Sequence, residues 1–450
     1  MEMDRQAGVL LHPTSLPNSG KFGQLNEEAW HFLDWMESAG LKVWQMLPLT
    51  QPVEGLSPYQ SVSAFAMNPA LLPDEWQQHL DEGFADYLES PPHWLDDYAV
   101  FMALRQYFGY QSWSQWPDEY RFHHAVALKH FSERHANDIL MLKQQQYVLA
   151  KLWEKLKNDA NARGILLFGD MPIFVAYDSV DVWANPEQFK LDDDLNPTVV
   201  TGVPPDYFSE TGQRWGNPHY DWDEMQVQGF SWWKRRVAES LKLFDLIRID
   251  HFRGFESCWE IRASEATAIH GHWQKAPGEA LLTALQKSFH QLPLVAEDLG
   301  IITEQVTVLK EAFNLPGMSV LQFGFNGLPN NPHALNEQVV NSVVYTGTHD
   351  NDTTLGWWQS LEDEQMKQWI ESQLSDEWGE MPWPLIYAAM SSPAKLMVAP
   401  MQDYLALGTA ARMNTPGTVE HNWEWQFDWH QVPDALAGKI KQMAEATNRL

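Results

Sequence analysis

Eight short apolar runs, separated by amphipathic helical patterns, constrain this sequence more than any other feature. They are Gly8–His12, Val43–Leu47, Ile165–Asp170, Leu246–Asp250, Leu294–Glu297, Ser319–Phe323, Val343–Thr346 and Leu396–Pro400. Nearly continuous apolar strands are what a parallel sheet covered on both faces requires. Between them, Ala29, Phe32, Leu33 and Met36 mark one helical face, with Asn26 as N-cap and Gly40 closing the end. Leu149, Leu152, Trp153 and Leu156 mark a second helix, and Phe230, Trp233, Val237 and Leu241 a third. Val306, Leu309 and Phe313 follow Thr303 as a cap, and a helix-rich tail follows Pro433.

Strands alternating with helices predict an α/β fold: a (β/α)8 TIM barrel with helical and loop subdomains inserted after strands 2 and 3. The doubly wound open sheet is the competitor. It usually carries a glycine-rich phosphate turn after its first strand, whereas here the first run leads into His12-Pro-Thr-Ser-Leu-Pro17. Residues about 50–145 and 171–230 are too long for simple connections. The expectation is one catalytic barrel over residues 1–450, with these two insertions walling the face where the strands end.

What ends the strands is chemically pointed. The third run ends in Asp170, the fourth in Asp250 and the fifth in Glu297, and His349-Asp350 follows the seventh. In a barrel these ends share one face, so four carboxylates would converge with Arg248, His251, Arg253 and His349. Converging like charges are costly, so such a cluster would be strange for stability alone. Taken singly, each acid could equally be a structural ion pair. Residues 248 and 250 lie on the same side of a strand, so Arg248 can sit beside Asp250 and keep it ionised, as a glycosidase nucleophile requires. Of Glu297 and Asp298 only one can face the axis. Glu297 follows a wholly apolar run, which favours a raised pKa and an acid role.

Composition narrows the partners. Sixty acidic against 30 basic residues leave a formal net charge of −30, which disfavours nucleic acid and anionic membranes. A single cysteine, Cys258, cannot form an internal disulfide or a cysteine metal site. The first residues carry no basic segment followed by a long apolar run, and no stretch approaches about 18 uninterrupted apolar residues; a soluble, cytoplasmic chain is expected. Twenty-three tryptophans suit the apolar faces of sugar rings but equally suit cores. A divalent metal at His349-Asp350-Asn351-Asp352 is the sharpest rival chemistry, although neither His-Glu-x-x-His nor Asp-x-Asp-x-Asp is present. No Gly-x-Ser-x-Gly elbow supports a serine hydrolase.

A set of ordered motifs runs through nearly the whole chain: Gly8–Pro17, Trp44–Pro48, Ser57–Ser61 with Ser63–Ala66, Gly169–Val175, Gly202–Ser209, Gly212–Pro218, Arg248–Gly254, Ala296–Gly300, Gly347–Thr353 and Arg412–Gly417. In this order they resemble the 4-α-glucanotransferases, also called amylomaltases or disproportionating enzymes. The resemblance implies that Asp250 is the nucleophile forming a covalent glycosyl-enzyme. Glu297 would be the acid and then the base, and Asp350 a third carboxylate gripping the distorted sugar. Tyr59, Asp170, Arg248 and His349 would touch the donor sugar, and Asn414 would also bind substrate. The Pro204–Gly216 loop would cover the acceptor side with Phe208 and Trp215 as apolar surfaces. It implies no cofactor and no metal, with maltodextrins as donors, glucose or maltose as acceptors, and a monomer or homodimer. Retention would need the two carboxyl groups about 5–5.5 Å apart. An α-glucan hydrolase of the amylase type shares the three acids and is the rival reading, followed by a silent glycan-binding protein. The chain departs from the family pattern at Gly23–Asn26, at Thr50–Leu56 and at Gln426.

Overall fold

The fold is that of a computed structural model in which residues 4–20, 22–205, 209–418 and 420–450 are described. Twelve strands occur among them, in chain order: β1 (Gln6–Leu10), β2 (Val43–Gln45), β3 (Leu166–Pro172), β4 (Val199–Val203), β5 (Gln213–Pro218), β6 (Leu246–Asp250), β7 (Ser257–Arg262), β8 (Gly271–Lys275), β9 (Leu294–Ala296), β10 (Gly317–Val320), β11 (Ser342–Tyr345) and β12 (Leu396–Pro400). Eight of them form one parallel sheet in the order β10-β11-β12-β1-β2-β3-β6-β9. Each strand therefore lies beside its predecessor in the chain, and β12 returns to β1 over five paired residues. The two ends approach one another, with the Ala296 N–H donating to Pro316 O at 2.8 Å. The sheet is nearly closed into the expected (β/α)8 barrel.

Strand alternation divides the core in two. Leu10, Val43, Phe168, Leu246, Val295, Val320, Val343 and Val398, one from each barrel strand, pack together with Tyr345 and Leu396 in a single interior cluster. Their strand neighbours Val9, Trp44, Leu167, Ile247, Ala296, Val344 and Met397 belong to the larger cluster beneath the helices. This is the two-faced burial of a barrel wall. It also aims the site: Asp170, Arg248 and Glu297 stand two residues beyond the inward-facing Phe168, Leu246 and Val295.

The helices follow their sequence signals. Glu27–Ala39 starts where the Asn26 side chain accepts from the Glu28 N–H, and ends at Gly40 in the left-handed region (φ 69°). Ala136–Ala162, Ser231–Leu243, Glu304–Ala312 and Leu436–Ala446 account for the other expected helices. Thr303 occupies the N-cap of Glu304–Ala312, but its hydroxyl makes no capping bond.

Several boundaries differ from expectation: β2 already ends at Gln45, and β3 runs on to Pro172. The first strand ends two residues earlier, at Leu10, and His12-Pro13 leads into a 3-10 turn at Pro13–Ser15. The sixth ends at Val320, and Leu321–Gly324 turns as a 3-10 segment. There Gln322 is drawn off the strand, its N–H donating to Thr346 O and its Nε2 to Asp352 O at 3.0 Å.

The insertion after β2 holds short helices and the long Ala136–Ala162 helix. The insertion after β3 contributes β4 and β5 to a four-stranded antiparallel sheet, β5-β4-β7-β8, whose other two strands follow β6. The apolar runs did not announce this sheet. Its small core is Val200, Ile261 and Ala268, while β8 exposes most of its residues and β5 exposes its first two, Gln213 and Arg214.

Candidate active site

The parallel register of β3 and β6 sets Asp170 directly opposite Arg248. Arg248 Nη1 donates to both Asp170 oxygens, at 2.8 and 2.7 Å, and Nη2 donates to Asp250 Oδ1 at 2.9 Å. The Asp170 side chain is fully buried. A guanidinium fork matched to two carboxylates is the geometry in which a buried charge is best compensated. Burial works to lower the Arg248 pKa, but Asp170 and Asp250 outweigh it and hold the group charged. The Asp250 side chain keeps 30% of its surface open. Burial raises its pKa to about 6, opposed by Arg248 and reinforced by Asp170. At neutral pH it is therefore mostly ionised.

Glu297 follows β9, and both its oxygens are held by backbone. The His251 N–H donates to Oε2 at 2.7 Å and the Leu299 N–H to Oε1 at 2.8 Å. His251 achieves this from the left-handed region, at φ 55°, a strained backbone for a non-glycine residue. Burial raises the Glu297 pKa to about 7. Arg248 and the two N–H bonds pull it down, and the Asp250 charge pushes it up. Asp298 turns away to Lys310 Nζ (2.6 Å) and the Met318 N–H (2.7 Å), so Glu297 is the acid that faces the axis.

A second run of contacts leads from Asp170 to the third acid. Tyr59 OH donates to Asp170 Oδ2 at 2.7 Å and lies 3.0 Å from His349 Nε2. The two rings stack at 5.3 Å between centroids, 16° from parallel. His349 Nε2 is 3.4 Å from Asp350 Oδ1, to which Asn414 Nδ2 donates at 2.6 Å. Asp250, Arg248, Asp170, Tyr59, His349, Asp350 and Asn414 thus form one continuous polar chain. Glu297 joins beside it through His251. Trp215, on β5, meets the His251 ring edge-on at 4.8 Å. Phe208 lies outside the described residues.

Apart from the His349–Asp350 contact, the segment singled out as a metal rival sends its side chains to separate partners. Asn351 Oδ1 accepts from the Thr348 N–H and hydroxyl, both at 2.9 Å, and Asp352 Oδ2 accepts from Thr409 Oγ1 at 2.8 Å. Among the described residues no three His, Cys, Asp or Glu side chains gather as a metal-binding group.

A family model described as 4-alpha-glucanotransferase, glycoside hydrolase family 77, matches residues 11–76 and 73–431. The chain belongs to the 4-alpha-glucanotransferase family. The 4-alpha-glucanotransferase of Thermus thermophilus is 44% identical, with 100% of both chains covered. That of Synechocystis sp. is 40% identical, covering 99% of this chain and 98% of the relative. Among solved structures, amylomaltase from Streptococcus agalactiae in complex with acarbose matches with a TM-score of 0.94 and 33% identity, covering 99% of each chain.

Two residues of this 4-alpha-glucanotransferase-family site were not anticipated. Arg412 donates through Nη2 to Asp350 O at 2.6 Å and through Nε to Asn414 O at 2.8 Å, binding together the two loops that meet at the third acid. Its signal was present, because it opens the Arg412–Gly417 motif, but its partners are backbone atoms that no pattern names. Trp423 lies 5.9 Å from the Tyr59 ring and 5.8 Å from His349. It lies in the Asn422–Gln426 segment whose Gln426 departs from the family pattern, and one tryptophan among 23 carries no signal of its own.

Proposed function

We propose that this chain transfers α-1,4-linked glucan segments from a donor maltodextrin to an acceptor sugar through a covalent glycosyl-enzyme on Asp250. The observation that carries the reading is the division of labour between two neighbouring acids. Asp250, forked by Arg248, is the more acidic, and Glu297, held by two N–H groups, is the one raised to about 7.

In the first step an Asp250 oxygen attacks the anomeric carbon. The glycosidic C–O bond breaks, and Glu297 passes its proton to the departing oxygen, which leaves as a hydroxyl. In the second step Glu297, now a carboxylate, takes the proton of an acceptor hydroxyl as that oxygen attacks the same carbon and Asp250 departs. Two inversions retain the configuration. Asp350, presented by Asn414, would accept hydrogen bonds from sugar hydroxyls while positive charge develops. Tyr59, Asp170, Arg248, His349 and Asn414 would orient the donor, and Trp215 would offer an apolar face to the acceptor. Transfer depends on keeping water from the intermediate, and the insertions after the second and third barrel strands would wall the cleft for that purpose.

We read the whole chain as one catalytic unit, cytoplasmic, monomeric or homodimeric, with maltodextrins as donors and glucose or maltose as acceptors. No helix among the described residues is long and apolar enough to cross a membrane. Incubation with maltotriose tests the reading: glucose plus maltodextrins longer than the substrate are expected. Reducing ends accumulating with no longer product would instead identify a hydrolase.

A further inference from the structure

Two residues of the motifs quoted above, Gln60 and Asn217, take no part in the chemistry just described. Their side-chain amides face each other. Gln60 Nε2 donates to Asn217 Oδ1 at 3.2 Å, and Asn217 Nδ2 returns to Gln60 Oε1 at 3.5 Å. Asn217 is 4% exposed. It is also anchored without Gln60, donating to Val175 O at 2.8 Å and accepting from Thr201 Oγ1 at 3.4 Å. The pair therefore joins a firmly seated residue to the loop that carries Tyr59.

What lies on each side gives the contact its interest. Beside Gln60, Tyr59 reaches Asp170 and His349. On the other side, β4 and β5 pair with a register shift: Val200 faces Pro218 and Gly202 faces Arg214. Three residues of β5, Trp215, Gly216 and Asn217, thus oppose Thr201 alone. Such bulges re-aim side chains, and Gly216 supplies the left-handed backbone the bulge needs (φ 83°). The bulge carries Asn217 toward Gln60 and Trp215 toward His251, whose N–H holds Glu297.

We propose that the Gln60–Asn217 amide pair is a positioning clasp that ties the Tyr59 loop to the Trp215 bulge and so sets how the glycosyl-enzyme divides between sugar acceptor and water. The inference rests on the glucan-transfer reading. Partition at that stage is decided by where the acceptor oxygen sits relative to Glu297, and small displacements of positioning groups cost large factors in rate. Neither amide titrates, so the effect is the same across the working pH range.

The experiment compares the parent chain with Gln60→Ala, Asn217→Ala and the double variant on maltotriose, scoring longer maltodextrins against net new reducing ends, with thermal unfolding followed alongside. Gln60→Ala leaves the other two bonds of Asn217 in place. It is expected to lower the transfer-to-hydrolysis ratio on the order of tenfold. The double variant is expected to lose less than the product of the two single losses. A Gln60→Ala ratio equal to the parent's, whatever its melting temperature, overturns the clasp, as do independent losses that multiply in the double variant. A parent chain that makes no longer products sinks the glucan-transfer reading itself, a distinguishable failure.

Discussion

The backbone N–H of His251 donates to Glu297 Oε2 at 2.7 Å from a left-handed conformation, one residue after Asp250. The strained peptide that follows one proposed catalytic acid thereby positions the other. Position 251 is thus a geometric link between nucleophile and acid/base, which gives the local strain a use.

Glu297→Gln tests the acid/base role: the amide carbonyl keeps one of the two backbone bonds, and the amide NH2 loses the other because it cannot accept from an N–H. Turnover of maltotriose is expected to fall about 10²–10⁴-fold, with binding of maltodextrin, followed by calorimetry, near the parent value. Weakened affinity at unchanged turnover would contradict the role.

The pH profile follows from the two acids. Asp250 must be ionised, so activity declines as pH falls through about 6. Glu297 must be protonated for the first step, so activity declines as pH rises through about 7. The expected kcat/KM profile is a narrow bell whose two limbs belong to the pair rather than to either residue. A flat profile from pH 5 to 9 would exclude this assignment.

Arg412 and Asn414 should act as one unit on Asp350. Arg412→Ala removes the donors to Asp350 O and Asn414 O, and Asn414→Ala removes the donor to Asp350 Oδ1. Each is expected to reduce kcat/KM roughly 10-fold or more, and the double variant to lose less than the product of the two. Fully multiplicative losses would show that Arg412 acts elsewhere.

Asp181 offers a stability test away from the chemistry. Burial raises its pKa to about 6, although it accepts the Ala64 N–H at 2.7 Å and feels Arg236. A carboxyl whose folded pKa is raised contributes stability below its unfolded pKa, near 3.8. That contribution is lost as pH rises through about 6. Asp181→Asn can keep the bond to Ala64 without the buried charge. It is expected to gain about 1–3 kcal/mol over the parent at pH 8 and little at pH 4, read by denaturant unfolding at both pH values. A loss at pH 8 would mean that the attraction to Arg236 outweighs the cost of burial.

The barrel was legible because its signal is local. Leu246-Ile-Arg-Ile-Asp250 and Leu294-Val-Ala296 are apolar enough to demand burial on both faces, and alternation alone put Arg248 on the side of Asp250. The antiparallel sheet was not legible. Its strands draw stability from cross-strand pairing at a half-exposed surface, and β5 holds its register through a bulge that no periodicity encodes. Thr303 marked the right helix start without the bond that usually justifies it, since position along the chain and side-chain rotamer are separate matters.

By itself the sequence determined the order of the eight barrel strands and the main helices between them, the acids at or near the strand ends and the family to which the chain belongs. These follow from local composition and from motifs that survive in order. The tertiary structure alone decided that Asp170 would share Arg248 with Asp250, that His251 and Leu299 would hold Glu297, and that Arg412 would fasten Asp350 to Asn414. These contacts join residues from 2 to 78 positions apart, several of them through backbone atoms every residue possesses, so barrel closure and strand register choose the partners.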